Sequence, residues 1–224
     1  MPATETLESD VVVSVPFDEN TYLLWLAGRE DCVVVDPGLQ PRAINEKLAE
    51  HGLRPAAILI THGHTDHIAG NTAMKKAWPD CPIVIGEGDA PKLTDPGLNL
   101  SRDFGFEVVS PPADATLAEG DTHEAAGLSF KVLHTPGHSS GHVTYVATID
   151  GKRHLISGDV LFRGSVGRTD FPDGDFEQLR AAIHDKLFPL GDDAIVYAGH
   201  GPTTTIGEER RTNPFVGRPA GYSV

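Results

Sequence analysis

The chain has 224 residues, enough to bury a sizeable core in one large domain. Apolar residues make up 39% and aromatic ones 7%, an ordinary balance for a globular protein, and no stretch approaches the ~20 apolar residues of a membrane-spanning helix. A formal net charge of -14 repels phosphates and argues against a nucleic-acid partner, although cations gathered in a cleft can still hold a small anion.

Met1 to Asp10 is acidic and polar and lacks an apolar core, so no secretory signal is expected. Residues 11–15 and 21–26 read as strands on either side of a turn-like Pro16-Phe17-Asp18-Glu19-Asn20. Residues 32–35 form a short buried strand that stops at Asp36-Pro37-Gly38. Cys32 and Cys81 lie in apolar runs without a partner motif; they read as buried free thiols, which suits a reducing cytoplasm. Residues 41–51 form a helix, with Pro41 in its first turn and Gly52 as its stop. The apolar strand 57–61 runs straight into His62-Gly63-His64-Thr65-Asp66-His67, a tight loop able to present four side chains without a regular backbone. A second helix over 68–78, a strand over 82–85 and a looser segment over 86–103 follow.

The second half alternates again. Strands are expected at 107–109, 128–133, 143–149 and 154–157. Residues 175–188 form an amphipathic helix with Phe176, Leu179, Ile183 and Leu187 on one stripe. The last strand, 194–197, feeds Gly199-His200-Gly201. Hairpin-like and strand–helix units together indicate an α/β (α+β) chain with two sheets and helices outside, although pattern alone does not fix the topology and says nothing of oligomeric state.

Four times an apolar strand ends where metal-ligand residues begin: at His62, His138, Asp159 and His200. Strand ends on one edge of a sheet can converge, and rigid strands supply the geometry that a metal requires. Imidazole and carboxylate suit zinc, and also iron or manganese. His62 and His64 can point one way and take one ion; Asp66 and His67 project to a neighbouring position and take a second. Asp159 is the candidate bridging carboxylate, with His138 completing the first set and His200 the second. Each ion then keeps an open position, as a catalytic site does and a closed, cysteine-rich structural zinc site does not. His51, His123, His154 and His184 are read as ordinary polar residues, and His134 and His142, beside His138, as supporting ones.

These residues resemble the metallo-β-lactamase superfamily, and within it the short, single-domain bacterial branch of glyoxalase II-like hydrolases. The match rests on Thr61-His62-Gly63-His64-Thr65-Asp66-His67, Thr135-Pro136-Gly137-His138-Ser139-Ser140-Gly141-His142, Ser157-Gly158-Asp159 and Gly199-His200-Gly201-Pro202. Asp36-Pro37-Gly38, Gly167-Arg168-Thr169-Asp170-Phe171 and the segment 207–215 extend it over nearly the whole chain. The resemblance implies an αββα sandwich over residues 1–224, with two metal ions at one edge between the sheets. It makes Asp36 a carboxylate that orients a ligand, and Arg168 the candidate for binding the glutathione part of a thioester, with a structural ion pair as the other reading. Two departures from full-length glyoxalase II are expected: a single domain without the C-terminal helical domain that grips glutathione, and Asp170 where that enzyme has an aromatic residue.

The expected activity is hydrolysis of an S-acylglutathione-type thioester such as S-lactoylglutathione. Two divalent ions would acidify a shared water, and Asp66 would orient it and receive its proton. A thiolate of pKa about 8.5 leaves without a strong general acid. The resemblance also admits a mononuclear iron persulfide dioxygenase using His62, His138 and Asp159, and further hydrolases of the superfamily, among them lactonases.

Overall fold

The fold is taken from a computed structural model that describes residues 6–224; Met1 to Glu5, part of the acidic start expected to carry no signal, lie outside the described residues. Strands β1 (Leu7–Ser14), β2 (Glu19–Leu26), β3 (Asp31–Val35), β4 (Arg54–Ile60), β5 (Ile83–Gly86) and β6 (Ala115–Leu117) form the first sheet in sequence order. The first three pair antiparallel and the last three join in parallel. The second sheet begins with β7 (Thr122–Ala125), β8 (Leu128–His134), β9 (Val143–Ile149) and β10 (Lys152–Gly158). A small hairpin, β11 (Leu161–Phe162) with β12 (Ser165–Val166), stands apart. Strands β13 (Ile195–Ala198) and β14 (Thr204–Thr205) complete the second sheet in the order β14-β13-β10-β9-β8-β7. Both sheets are mixed, with β10 and β13 parallel and their neighbours antiparallel.

Alternating side chains place the layers. On β2, Tyr22, Leu24 and Leu26 face the second sheet, while Leu23 and Trp25 face outward. The central core joins them to Leu128, Phe130 and Val132 of β8 and Tyr145 and Ala147 of β9. Outward residues of the first sheet are covered by helix α1 (Pro41–His51), through Ile44 and Leu48, and by Met74. The outer face of the second sheet packs on Leu179, Ile183, Leu187 and Ile206. Strands buried on both faces explain the continuous apolar runs of the sequence, and the result is the expected helix–sheet–sheet–helix sandwich. Cys32 and Cys81 are both buried and unpaired.

Several elements depart from expectation. The helix expected over 68–78 is two: α2 (Thr65–Ile68) and α3 (Asn71–Ala77). The break falls at Gly70, whose N–H donates to the Pro37 carbonyl at 2.8 Å, and where a Cβ would lie 2.6 Å from Gly38 O. Asp66 and His67 therefore sit on a helical turn and not on an irregular loop. Residues 107–109 join no sheet; Thr72 Oγ1 donates to Val109 O, and Ser110 N to Leu93 O, so the segment is tied to the helical layer. The helix expected over 175–188 is α-helical only at α4 (Phe176–Ala182), widens into a π-helical turn over Ile183–Leu187 and tightens at Phe188–Leu190, where Pro189 cannot donate. The strands β6, β7, β11, β12 and β14 were not expected, nor was helix α5 (Ile206–Thr212), capped by the Thr205 hydroxyl accepting from Glu208 N at 3.2 Å.

Candidate metal centre

The two sheets are tied to each other along one edge. Tyr145 Oη donates to Ile60 O at the end of β4, and Val143 N donates to Thr61 O. Asn20 N donates to Gly199 O, and its side-chain amide donates to Ala198 O and Gly201 O, so the start of β2 holds the loop that follows β13. Strands β4, β8, β10 and β13 all end near this edge, and the seven expected donors meet there.

The geometry gathers His62, His64 and His138 into one group, His62, His67 and Asp159 into a second, and Asp66, His67 and His200 into a third, with one donor atom from each member within 4.8 Å of the others. Asp159 lies between the sets. Its Oδ2 is 3.4 Å from His138 Nε2 and 3.4 Å from His200 Nε2, and its Oδ1 is 3.4 Å from His67 Nε2. All seven expected residues are thus in one cluster, most of them buried.

Neighbouring acceptors decide which ring nitrogen is free. His138 Nδ1 faces the Arg168 carbonyl at 2.8 Å, and His200 Nδ1 faces the Phe17 carbonyl at 3.0 Å. A carbonyl only accepts, so Nδ1 carries a hydrogen in both rings and Nε2 is the nitrogen left to face the centre. Asp36 acts twice. Its Oδ2 lies 3.1 Å from His67 Nδ1, and the same atom accepts from Thr61 Oγ1, which in turn faces His62 Nδ1 at 3.1 Å. Asp36 therefore sits where its expected orienting role requires, and it adopts φ 47 while taking Thr61 N–H on Oδ1. His64 presents Nδ1 at 2.8 Å from His138 Nε2. Both rings are neutral, since burial and the neighbouring charges push His64 well down and burial lowers His138, so the two nitrogens meet in a position that suits one shared cation.

Two observations test the fit to divalent cations. His62 Nε2, His67 Nε2 and Asp159 Oδ1 are buried with no hydrogen-bond partner, a costly arrangement unless something charged meets them. The protonation pattern also fits. Burial works against charge on His67 and His200, yet Asp159 and Asp66 outweigh it and push His67 well up and His200 up to about 10. Against the same burial, His67 and His200 hold Asp159 well below the usual carboxylate range. Protons on the second set thus stand in the places that cations would take.

Supports lie around this core: His142, expected from the sequence, and Asp89 with Lys92, which the sequence reading left out. His142, stacked on His62 with ring centroids 4.8 Å apart, accepts the Asp159 N–H on Nε2 at 3.1 Å and turns Nδ1 to Thr135 Oγ1. Asp89, fully buried, accepts from Gly63 N at 2.8 Å and Ser139 Oγ at 2.5 Å on Oδ2, and from Gly141 N at 2.9 Å on Oδ1. Lys92 bonds Ser139 and pairs with Asp173 at 2.7 Å and Asp89 at 3.3 Å. One carboxylate thus holds the loop of His62 and His64 against the loop of His138. The signal for it is glycine: a Cβ on Gly63 would lie 2.4 Å from Lys92 Cβ, and one on Gly141 2.2 Å from Asp89 N.

A cleft of about 330 Å³ opens over the donors His64, Asp66, His138, Asp159 and His200. Arg168 lines it, but its guanidinium makes two 2.7 Å bonds to Asp170 and lies 4.3 Å from the Phe171 ring centroid. Asp170 is therefore the partner of Arg168, as the ion-pair reading requires.

Comparison with known proteins is consistent with this geometry. The model of the metallo-beta-lactamase superfamily matches residues 15–200. The hydroxyacylglutathione hydrolase GloC of Haemophilus influenzae is 35% identical over 92% of this chain and 97% of its own length. The BLEG-1 B3 metallo-beta-lactamase superposes with a TM-score of 0.87 at 38% identity, covering 93% of this chain and 99% of that one. TTHA1623, solved in a di-iron-bound form, superposes with a TM-score of 0.77 at 38% identity, covering 92% and 99%. No helix among the described residues is long and apolar enough to cross a membrane.

Proposed function

Since the chain belongs to the metallo-beta-lactamase superfamily and is a metal-dependent hydrolase of that family, we propose that it is a dinuclear thioesterase of the glyoxalase II type, acting on S-acylglutathione-like thioesters. What supports this reading is the gathering of seven donors around Asp159, with His62, His64 and His138 in one group, Asp66, His67 and His200 in another, and His62, His67 and Asp159 joining them. His62, His64 and His138 would hold one divalent ion, Asp66, His67 and His200 the other, with Asp159 shared. The similarity to GloC supports the thioester, and the similarity to a di-iron protein supports two ions while leaving zinc, iron and manganese as candidates.

When bound, two divalent cations would supply Lewis acidity, polarising the scissile carbonyl and acidifying water near neutral pH. The protein's own groups do the rest. Asp66 faces the cleft. It can orient the attacking water and take its proton. Attack on the thioester carbonyl breaks the C–S bond and releases a thiolate, which at a pKa of about 8.5 needs no strong acid. Arg168 reaches the cleft as half of an ion pair, so the thioester reading rests on the metal centre and not on a free guanidinium.

The mononuclear iron reading would use His62, His138 and Asp159 alone; the gathering of Asp66, His67 and His200 beside them supports two ions instead. The similarity to BLEG-1 favours β-lactam hydrolysis as the second reading, with the same centre acting on an amide. Metal quantification followed by assay of S-lactoylglutathione, a lactone, a β-lactam and glutathione persulfide separates these. Two ions per chain and chelator-sensitive thioester turnover are expected. One iron per chain with O2 uptake on the persulfide would overturn the proposal.

A further inference from the structure

We infer that the cleft over the metal centre is an apolar acyl pocket, selecting thioesters whose acyl group is aryl or branched alkyl over the small polar lactoyl group. The inference rests on the thioesterase reading above and concerns which side of the thioester the protein recognises.

Apart from the metal donors and from Ser165 and Arg168, the walls are apolar. Phe17, Phe104, Phe162, Val166 and Phe171 supply them, from four separate stretches of chain. Phe17 and Phe104 meet edge to face with centroids 5.3 Å apart, a preferred aromatic geometry, and close one side. Phe171 packs on His64 at 5.1 Å and on His138 at 5.8 Å, and Phe162 on His200 at 5.9 Å. The aromatic walls therefore touch the rings of both donor sets, and an acyl group whose carbonyl lies over the centre has to lie against them.

The wall carrying Phe162 and Val166 is anchored from behind. Glu209, fully buried on α5, accepts from Gly164 N at 2.8 Å, and Asn213 donates to Ser165 O at 2.9 Å, so the β11–β12 hairpin is pinned where it faces the cleft. The segment between β5 and β6 contributes Phe104, 49% exposed, a large apolar group left open beside a polar centre.

Electrostatics points the same way. The cation of this wall, Arg168, is matched by Asp170, whose carboxyl it holds down to about 2. The pair offers no net charge to an anionic substrate. The volume, about 330 Å³, lies at the lower end of the ~300–1,000 Å³ typical of small-molecule sites, room enough for an acyl group and the thioester.

The test uses the metal-loaded protein with four substrates, the acetyl and phenylacetyl thioesters of glutathione and of N-acetylcysteamine, together with S-lactoylglutathione. Thiol release is followed with a chromogenic thiol reagent. The expected result is a phenylacetyl-to-acetyl ratio in kcat/KM of at least ~10 on both thiols, the scale set by apolar pockets that discriminate by 10–200-fold per small group. Phe104→Ala should cut that ratio several-fold. Calorimetry with non-hydrolysable benzyl and methyl thioethers gives the second readout: the benzyl compound binds more tightly, with a negative heat-capacity change. A ratio near one on both thiols, or S-lactoylglutathione turned over faster than phenylacetylglutathione, overturns the pocket while leaving the thioesterase reading intact. Failure to hydrolyse any thioester overturns the thioesterase reading and the acyl pocket with it.

Discussion

Asp89→Asn is the most informative single change, because it keeps volume and shape while removing one buried charge. In the native fold the two oxygens of Asp89 receive Gly63 N, Ser139 Oγ and Gly141 N, with Lys92 Nζ alongside. The amide can turn either way. One orientation sets its NH2 against Gly63 N–H and Ser139, the other against Gly141 N–H. Either leaves a buried donor unmatched, at about 1–3 kcal/mol, and deprives Lys92 of one of its two counter-charges. Asp173 remains for Lys92, so we expect a total of about 2–4 kcal/mol, a large share of a ~5–15 kcal/mol fold. For a chain of this size that lowers the melting temperature by roughly 4–16 °C. The effect on the metal centre should be uneven. Asp89 holds the loops of His62, His64 and His138 but touches none of Asp66, His67 or His200. One of two bound equivalents should weaken by ~10–100-fold while the other holds. Calorimetric denaturation of chelated protein and stepwise titration with a divalent cation measure both quantities. A variant within ~0.5 kcal/mol of the parent that binds both equivalents equally well would refute the idea that this carboxylate locks the two loops.

Asp66→Ala and His64→Ala should each abolish nearly all thioester turnover, as should chelation; metal-free protein turning over S-lactoylglutathione at the full rate would contradict the proposed centre. Cation affinity should rise with pH. His200 is protonated below about 10 in the metal-free fold, and a cation must displace that proton, so log K should climb by up to ~1 per pH unit per proton released, as competition titrations at pH 6 to 9 would record. The same raised pKa gives the metal-free protein stability that is complete below the unfolded value of ~6.5 and is lost as pH rises through about 10; denaturation of chelated protein between pH 8 and 11 should show that loss, and a flat profile would count against it. Gly63→Ala should lower both stability and metal content, because its Cβ would meet Lys92 Cβ at 2.4 Å; a fully metallated, equally stable variant would show that the neighbouring loop yields.

The metal donors were legible because their chemistry is written in residue type and in position at strand ends. His62, His138, Asp159 and His200 each follow an apolar run, and the runs converge. The two sheets were legible for a related reason: strands such as β2 and β3, buried on both faces, leave unbroken apolar stretches. Their pairing order was not, since β10 beside β13 depends on packing across more than one element. Helix α5 could have been read from Thr205-Ile206-Gly207-Glu208, a Ser/Thr-x-x-Glu start, but its interior Gly and polar run hid it. Asp89 and Lys92 were invisible because no local pattern distinguishes a buried ion pair from a solvated one; only the lack of room at Gly63 and Gly141 gives them away. For Arg168 the motif left two readings, a contact with substrate and a structural ion pair; the residue two positions on, Asp170, takes up its guanidinium.

The donors also have an order in time. His62, His64, Asp66 and His67 leave the ribosome together, whereas His200 follows roughly 130 residues later, a delay of roughly 7–26 s at ~5–20 residues per second. During that interval the first sheet carries four candidate ligands, His138 after β8 and Asp159 after β10 follow in turn, and His200 comes last. The candidate set is therefore closed only when β13 docks beside β10 and the loop after it brings His200 to Asp66 and His67.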